Sequence, residues 1–600
     1  MAIDTETLHR LLGELEKALE PIEEEDILKV LTKELSQNPD HSIPMEWNAE
    51  WLAFNLFANP QESESRWGTY FGPKIIWKNK EDGEEIEFPS KKDLTPEIVS
   101  YWESRAIETI HPWFKARYAD LVFDLSKLTM KKPDYKMGFM LIDNILETYG
   151  KNLYKPEISI PRRLDRALRV SMFLGDKGRI ERVRDAIISF EDRFAKDEML
   201  GTWGFSFDLL LENKKVALTQ ELEAKIIGDL ESRLKRLIGF SDQPEAVGFS
   251  SIWAIQAVVT RLADYYRRSN SKDDVQRVVR IYGDAIEKNS EKMSALQKSG
   301  WLRTLYFYYL EYELREEAEK VAVKLRELGP EINNGMGVIH ESMEIPVEEV
   351  NNHVKMLIDD GLEIAFIRIA QYYSPDKEEM AKQIIDISKE APFLSLLTTS
   401  IHDYSGRQVA TVGPIEKDLT GNIVYYLSRD MSTIHAFYLR KVMSALIEKY
   451  NLSSQHFVDF LTQSPLFSGE KRLILEKGFD AYLTGNSIAA IHLLVPQVED
   501  AIRNLVEKTG GAVLKPSRNG DGFQLKVFDE LLRDPRVESV LGENGAFYFR
   551  VLFTDQRGWN LRNNVCHGIT PAKALDISVA DRLVHALLRL AIVRENKKEL

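Results

Sequence analysis

The sequence predicts a mostly α-helical chain, on three observations. Apolar residues recur at helical spacing in segment after segment: Leu8, Leu11, Leu12, Leu15 and Leu19 near the start, and Ile491, Leu494, Val498, Ala501, Ile502 and Leu505 near the end. Helix-start signals precede such stripes, as in Thr95-Pro96-Glu97 and Thr570-Pro571, where a capping hydroxyl stands before a proline suited to the first helical position. Between residues 135 and 394 helix follows helix, with two candidate hairpins starting about 42 residues apart, near the period of helical-repeat arrays. The organisation expected is an N-terminal, mostly helical domain (1–134), a central irregular α-solenoid (135–394) and a C-terminal α-helical bundle (395–600, core about 487–600).

In the N-terminal region, residues 5–19 form an amphipathic helix. An aromatic patch follows at Trp67, Tyr70, Phe71 and Trp77, read as core packing. Ile75-Ile76-Trp77 and Ile86-Glu87-Phe88 flank Asp82-Gly83, a hairpin signal. The helix that Thr95 caps carries Trp102, Ala106, Ile110, Trp113, Tyr118 and Leu121, with a break expected at Pro112.

In the central region, residues 251–268 and 273–288 make one antiparallel pair, joined at Ser269-Asn270-Ser271. Residues 293–312 and 316–328 make another, closed by Gly329-Pro330. Such an array usually presents a surface, so a protein partner on it is expected.

Farther on, Gly406 to Gly421 reads as a loop, with helices resuming at about Asn422. Residues 487–508 pair the apolar stripe named above with a polar face of Gln497, Asp500, Arg503, Asn504 and Glu507, ended by Gly510-Gly511. Residues 512–533 read as a polar insertion. Ala546 to Phe553 alternates like a strand, but a short apolar run does not decide between strand and helix. Thr570-Pro571 is expected to open a final helix with Ile577, Ala580, Val584, Leu587, Leu588 and Ala591 as its buried stripe.

Composition bounds the function. At 600 residues the chain is too long for one core. Its 44% apolar and 29% charged residues are ordinary for a globular protein. One cysteine rules out an intrachain disulfide framework. The N-terminus is acidic where a signal peptide would be basic, and no stretch approaches the ~18 apolar residues of a membrane span. A cytoplasmic protein without a membrane association is expected. The net charge of −15 argues against general nucleic-acid binding. Residues 501–600 differ, with 16 Lys/Arg against 12 Asp/Glu.

The chemistry is concentrated in Gly558-Trp559-Asn560-Leu561-Arg562-Asn563-Asn564-Val565-Cys566-His567-Gly568, read as a short helix closed by Gly568. An Arg followed by four to six residues and a His occurs three times, at Arg105/His111, Arg429/His435 and Arg562/His567. Chance alone supplies roughly one or two such matches, so spacing by itself says little. Only the third has Asn after the Arg, Gly after the His, and the Leu493-Leu494-Val495-Pro496-Gln497 helix upstream.

With that context, Arg562-Asn563-Asn564-Val565-Cys566-His567 resembles the signature of the HEPN superfamily, whose members are often metal-independent ribonucleases. Residues 493–503 and 560–568 together resemble the branch shared by bacterial proteins and the animal endoplasmic-reticulum membrane-associated RNA degradation protein. Tyr70-Phe71-Gly72-Pro73 and the segment from His111 to Leu121 also look like bacterial members of that group. The resemblance covers residues 395–600 well and the N-terminal region loosely. It implies a HEPN-like bundle, RNA as substrate, no cofactor or metal, and a composite site made where two such domains face each other. One convincing copy in this chain implies a homodimer through the C-terminal domain.

The residue types suit that chemistry. Metal-free RNA cleavage requires activation of the 2′-OH, protonation of the leaving 5′-oxygen and stabilisation of a doubly charged phosphorane-like state. His567 can act as acid or base near neutrality, and Arg562 offers a permanently charged planar fork. Asn563, four residues before His567, shares its helical face and is expected to fix the imidazole or donate to phosphate. Glu499, Asp500 and Arg503 on the upstream helix, with Asn564, are candidates to line the site. The expected function is an endoribonuclease, with a toxin-like or antiviral role in view. The alternative is a catalytically inert scaffold whose HEPN end dimerises or binds RNA.

Other candidates fail. Cys566 and His567 are neighbours on a helix, diverge by ~100° and do not face each other as a dyad. His340-Glu341-Ser342-Met343-Glu344 lacks the second His of a zinc-protease helix, and Gly335-Met336-Gly337 lacks a third Gly and a Walker Lys. No mechanism attaches to His402, Asp403 and Arg407.

Overall fold

The computed structural model describes residues 4–18, 20–36, 43–59, 66–78, 85–129, 134–197, 199–213, 216–240, 249–337, 342–467, 469–517 and 520–595. It is mostly α-helical, with 72% of residues in helices. The sheets among the described residues are four separate antiparallel hairpins, so helix packing has to supply the cores. Among the described residues no helix is long and apolar enough to cross a membrane.

Two compact units form: Met1–Lys292 with Phe307–Arg315, and Met293–Tyr306 with Glu316–Leu600. The core of the first runs from Leu8 to Val216 and so continues past residue 134. It does so because the Pro112–Leu125 helix is buried on nearly every side and packs along the Tyr135–Gly150 helix. The core of the second runs from Leu357 to Ala591 and so begins before residue 395.

In the first unit, Thr5–Ala18 is helical with Leu8 and Leu12 buried. Ile75–Lys78 and Glu85–Phe88 pair antiparallel, Trp77 opposite Ile86, while the Asp82-Gly83 turn lies outside the described residues. Trp67, Tyr70 and Phe71 are buried as expected, whereas Trp77 sits on this hairpin with 43% of its surface exposed. Thr95 Oγ1 accepts from Ile98 N at the start of Pro96–Glu108. The chain breaks at Thr109–His111 and restarts at Pro112, with His111 Nδ1 accepting from Trp113 N as the cap. Ile110 falls in that break and is exposed instead of joining the stripe.

Carboxylates and guanidinium groups are built into this core. Glu50, fully buried, accepts from Arg105 Nε (3.0 Å), Tyr101 Oη (2.9 Å) and Tyr118 Oη (2.5 Å). Arg105 also reaches Glu16 at 2.5 Å. The expected pair of helices near residue 270 is present as Phe249–Arg268 and Lys272–Asn289, with Asn270 in the left-handed region (φ 56°) between them.

In the second unit the Ser487–Lys508 helix is central. Asn486 Oδ1 caps Ala489 N, and Ile491, Leu494, Val498, Ala501, Ile502 and Leu505 are all buried. It packs against Arg472–Leu483, Pro535–Phe553, Leu561–Cys566 and Ile577–Ala591. The crossing with Arg472–Leu483 is close: a Cβ on Gly478 would lie 2.4 Å from Leu494 Cδ2.

Three expectations are corrected here, and the segment left open between strand and helix is decided. Gly329-Pro330 opens a further helix, Gly329–Gly335, because proline suits a first turn. The segment after Gly406 contains the strand Gln408–Val412, paired with Thr399–His402. Asp403 Oδ1 accepts from Ser405 N and Arg407 N and, with Gly406 at φ 79°, turns the chain between them. Ala546–Phe553 is helical, the end of Pro535–Phe553; burial on all sides erased the helical period. The final helix, Ile577–Ala591, is capped by Asp576, which accepts from Ser578 N and Val579 N, while Pro571 precedes only the short turn Ala572–Ala574. Within the expected insertion, Leu514–Pro516 and Phe523–Leu525 form a hairpin.

Candidate functional site

The segment carrying Arg562 and His567 is positioned by a tight return of the chain. After the Pro535–Phe553 helix, Gly558 passes so close to Val551 that a Cβ would lie 2.3 Å from its carbonyl oxygen. Trp559 N donates to that same oxygen at 3.0 Å, and Trp559 Nε1 donates to Ser428 O at 3.1 Å. Asn560, in the left-handed region at φ 48°, then opens the Leu561–Cys566 helix. Leu561 and Val565 anchor it in the core, leaving Arg562, Asn563 and Asn564 half-buried and Cys566 and His567 exposed. His567 is the C-cap, its N–H donating to Asn563 O, and Gly568 at φ 65° ends the turn.

Arg562 turns toward the Ser487–Lys508 helix. Its Nε donates to Glu499 Oε2 at 2.8 Å, and one terminal nitrogen donates to Asn563 Oδ1 at 3.2 Å. Glu499 Oε1 accepts in turn from Arg503 at 3.0 Å, and Arg503 lies 3.5 Å from Asp500. Glu499 thus bridges two guanidinium groups, and two carboxylates balance two cations. Arg562 keeps 24% of its side-chain surface exposed, so the fork stays open to a further acceptor.

The predicted residues are partly brought together. Arg562, Asn563, Glu499, Asp500 and Arg503 form one polar chain. His567 stands apart: among the described residues no group hydrogen-bonds its ring. Asn563 shares its helical face but does not hold it, because its amide nitrogen donates to Asn560 Oδ1 at 2.7 Å and its oxygen serves Arg562. Asn564 is structural, donating to Trp559 O and accepting at its carbonyl from Ile569 N. Cys566 is a free, exposed thiol. Trp559 and Asn560 lie within the stretch picked out in the sequence but were given no role there, and the Asn following a Gly-Trp pair was the available signal.

The other two Arg/His pairs are differently placed. His111 is fully buried and Arg105 nearly so. His435 is half-buried, and burial together with the Arg582 cation holds its pKa down at about 4. Arg582 belongs to a buried polar row on the last helix that sequence reading missed within an apolar stripe. Asp581 accepts from Arg440 and Tyr482, and His585 Nδ1 meets Tyr548 Oη at 2.7 Å. Burial raises Asp581 to about 6. Among the described residues no three His, Cys, Asp or Glu side chains gather as a metal site. Of the weaker candidates, His340 and Glu341 lie outside the described residues, and Asp403 is tied to Arg407 within its hairpin turn.

No protein-family model and no curated protein matches this chain.

Proposed function

We propose that this chain is a metal-independent endoribonuclease in which Arg562 and His567 act on RNA. The observation that carries the reading is the pairing, on one six-residue helix and its C-cap, of a partly exposed guanidinium steered by Glu499 with an exposed imidazole that no described residue engages. An imidazole without an orienting partner is an incomplete acid/base catalyst, and a second copy of the same helix supplies what is missing. The active form is therefore a homodimer through the C-terminal bundle, each protomer contributing one Arg562 and one His567. His567 removes the 2′-OH proton or protonates the leaving 5′-oxygen, and Arg562 neutralises the phosphoryl oxygens as charge builds. The products are a 2′,3′-cyclic phosphate and a 5′-hydroxyl. The HEPN-like character of the bundle, a scaffold role for the helices before it, a cytoplasmic setting and a toxin-like or antiviral role belong to the same proposal.

One observation favours the alternative, an inert HEPN module that dimerises or grips RNA. Glu499 already neutralises Arg562, which suits a structural ion pair as well as a poised one. Incubating the purified protein with total RNA in EDTA separates the two. Cleavage that leaves cyclic phosphate ends and is abolished in a folded His567→Ala protein supports the nuclease. Cleavage by that variant at the wild-type rate overturns it, and RNA binding without turnover favours the inert module.

A further inference from the structure

A second site lies in the first unit, and nothing in it depends on the RNA-cleavage reading. A small cavity, with about 20 Å³ of room for the centre of a water-sized sphere, opens between the Pro112–Leu125 and Ile160–Leu174 helices. Arg117, Arg163 and Arg166 line it together with Tyr70, Tyr154 and one carboxylate, Asp120. Arg117 and Arg166 are 5% and 4% exposed, so these are cations taken out of water, where each must find compensation.

The compensation is uneven. Arg166 donates from Nε and a terminal nitrogen to the same oxygen of Asp120, at 3.0 and 2.8 Å, and lies over the Tyr70 ring at 4.0 Å. Asp124, 3.6 Å from Arg166, already accepts from Tyr70 N and Phe71 N at 3.1 and 2.9 Å. Arg163 pairs with Glu24. Arg117 gives two of its nitrogens to the carbonyl oxygens of Ala53 and Leu56, at 2.7 and 2.8 Å. Its nearest carboxylate is the same Glu24, at 3.7 Å and already engaged. Burial accordingly depresses Arg117 to about 10. Three guanidinium groups thus line the cavity beside one carboxylate, Asp120, while Glu24 and Asp124 reach Arg163 and Arg166 without lining it, and the space has room for one small group.

We infer that this cavity binds a single tetrahedral oxyanion of the phosphate class, either free phosphate or the terminal phosphate of a small ligand. Guanidinium forks converging from two helices match phosphate oxygens in shape and charge, and such an anion supplies Arg117 with a negatively charged partner at hydrogen-bond distance, which Glu24 at 3.7 Å does not. A nucleoside does not fit in the space, so a larger ligand leaves its remainder at the mouth.

Calorimetric titration of the full-length protein with inorganic phosphate, at constant ionic strength against chloride, tests this. Saturable binding with a Kd below about 1 mM is expected. Arg117→Gln should weaken it at least about tenfold, and so should Arg163→Lys, which keeps the charge and loses the fork. Arg163→Lys decides the matter if Arg117→Gln does not fold. A nucleoside monophosphate that binds at least as tightly as phosphate assigns the site to a ligand's terminal phosphate; binding of inorganic phosphate alone assigns it to the free ion. No saturable heat up to about 10 mM phosphate, or equal affinity in wild type and folded Arg163→Lys, overturns the inference.

Discussion

Near the N-terminus Arg105 precedes His111, and near the C-terminus Arg562 precedes His567, at almost the same spacing. Arg105 is locked between Glu16 and Glu50 inside the core, and His111 caps a helix there with none of its surface exposed. Arg562 is held by one carboxylate at the surface, and His567 projects from a helix end with no partner among the described residues. One pair is part of what keeps a unit folded, and the other contributes little to packing. A residue pattern therefore becomes chemistry only where folding leaves the groups reachable and short of partners.

The largest expected effects test that contrast directly. His567→Ala should lower RNA cleavage about 10²–10⁴-fold, measured by initial rates in EDTA, with an unchanged melting curve. An unchanged rate collapses the contrast, since the exposed pair would then be as idle chemically as the buried one. Arg105→Ala should destabilise the first unit by about 3–5 kcal/mol in urea unfolding, because Glu50 remains buried without its cation. A loss below about 1 kcal/mol would show that the tyrosine hydroxyls alone satisfy Glu50. His111→Ala should cost about 2–3 kcal/mol through the lost cap and the cavity left behind, with cleavage per folded molecule unchanged.

Smaller effects sharpen the contrast. Glu499→Gln should leave stability within about 0.5 kcal/mol, since the Arg562–Glu499 pair is partly exposed. It should change the cleavage rate about tenfold by loosening the guanidinium, and a silent substitution would mean that Glu499 does not steer Arg562. The pH dependence of His111 is the smallest effect. Burial depresses its pKa below the ordinary value of 6.5, so on acidification the unfolded chain takes up the proton first. Its contribution to stability is present above pH 6.5 and is lost as the pH falls toward the depressed value. His111→Gln should flatten the unfolding curve over that window, whereas His567→Ala should leave its slope unaltered.

Much of the fold was legible in the sequence wherever one face of a helix meets water. Thr5–Ala18, the Thr95 cap and Ser487–Lys508 with its buried stripe could all be read from period and cap alone. Legibility failed where almost no face meets water, as at Ala546–Phe553, where burial on nearly every side leaves no helical period to interpret. It failed also where a local signal was met by a different partner, as when Asp576 rather than Thr570 capped the final helix. For the candidate site, the sequence pointed to Arg562 and to Glu499, Asp500 and Arg503 on the neighbouring helix. It could not give the direction of the Asn563 amide, which depends on Asn560 adopting a left-handed backbone. The cavity beside Arg117 was not legible at all, because its cations come from segments far apart in the chain and each looks like an ordinary surface arginine in one dimension.

Cys566 carries the molecule's one thiol, exposed and adjacent in the chain to His567. A nitroxide attached there marks the Leu561–Cys566 helix without any engineered cysteine. Dipolar electron resonance on the labelled wild-type chain then reads whether two such helices come within a few nanometres of one another, as a ruler already built into the sequence.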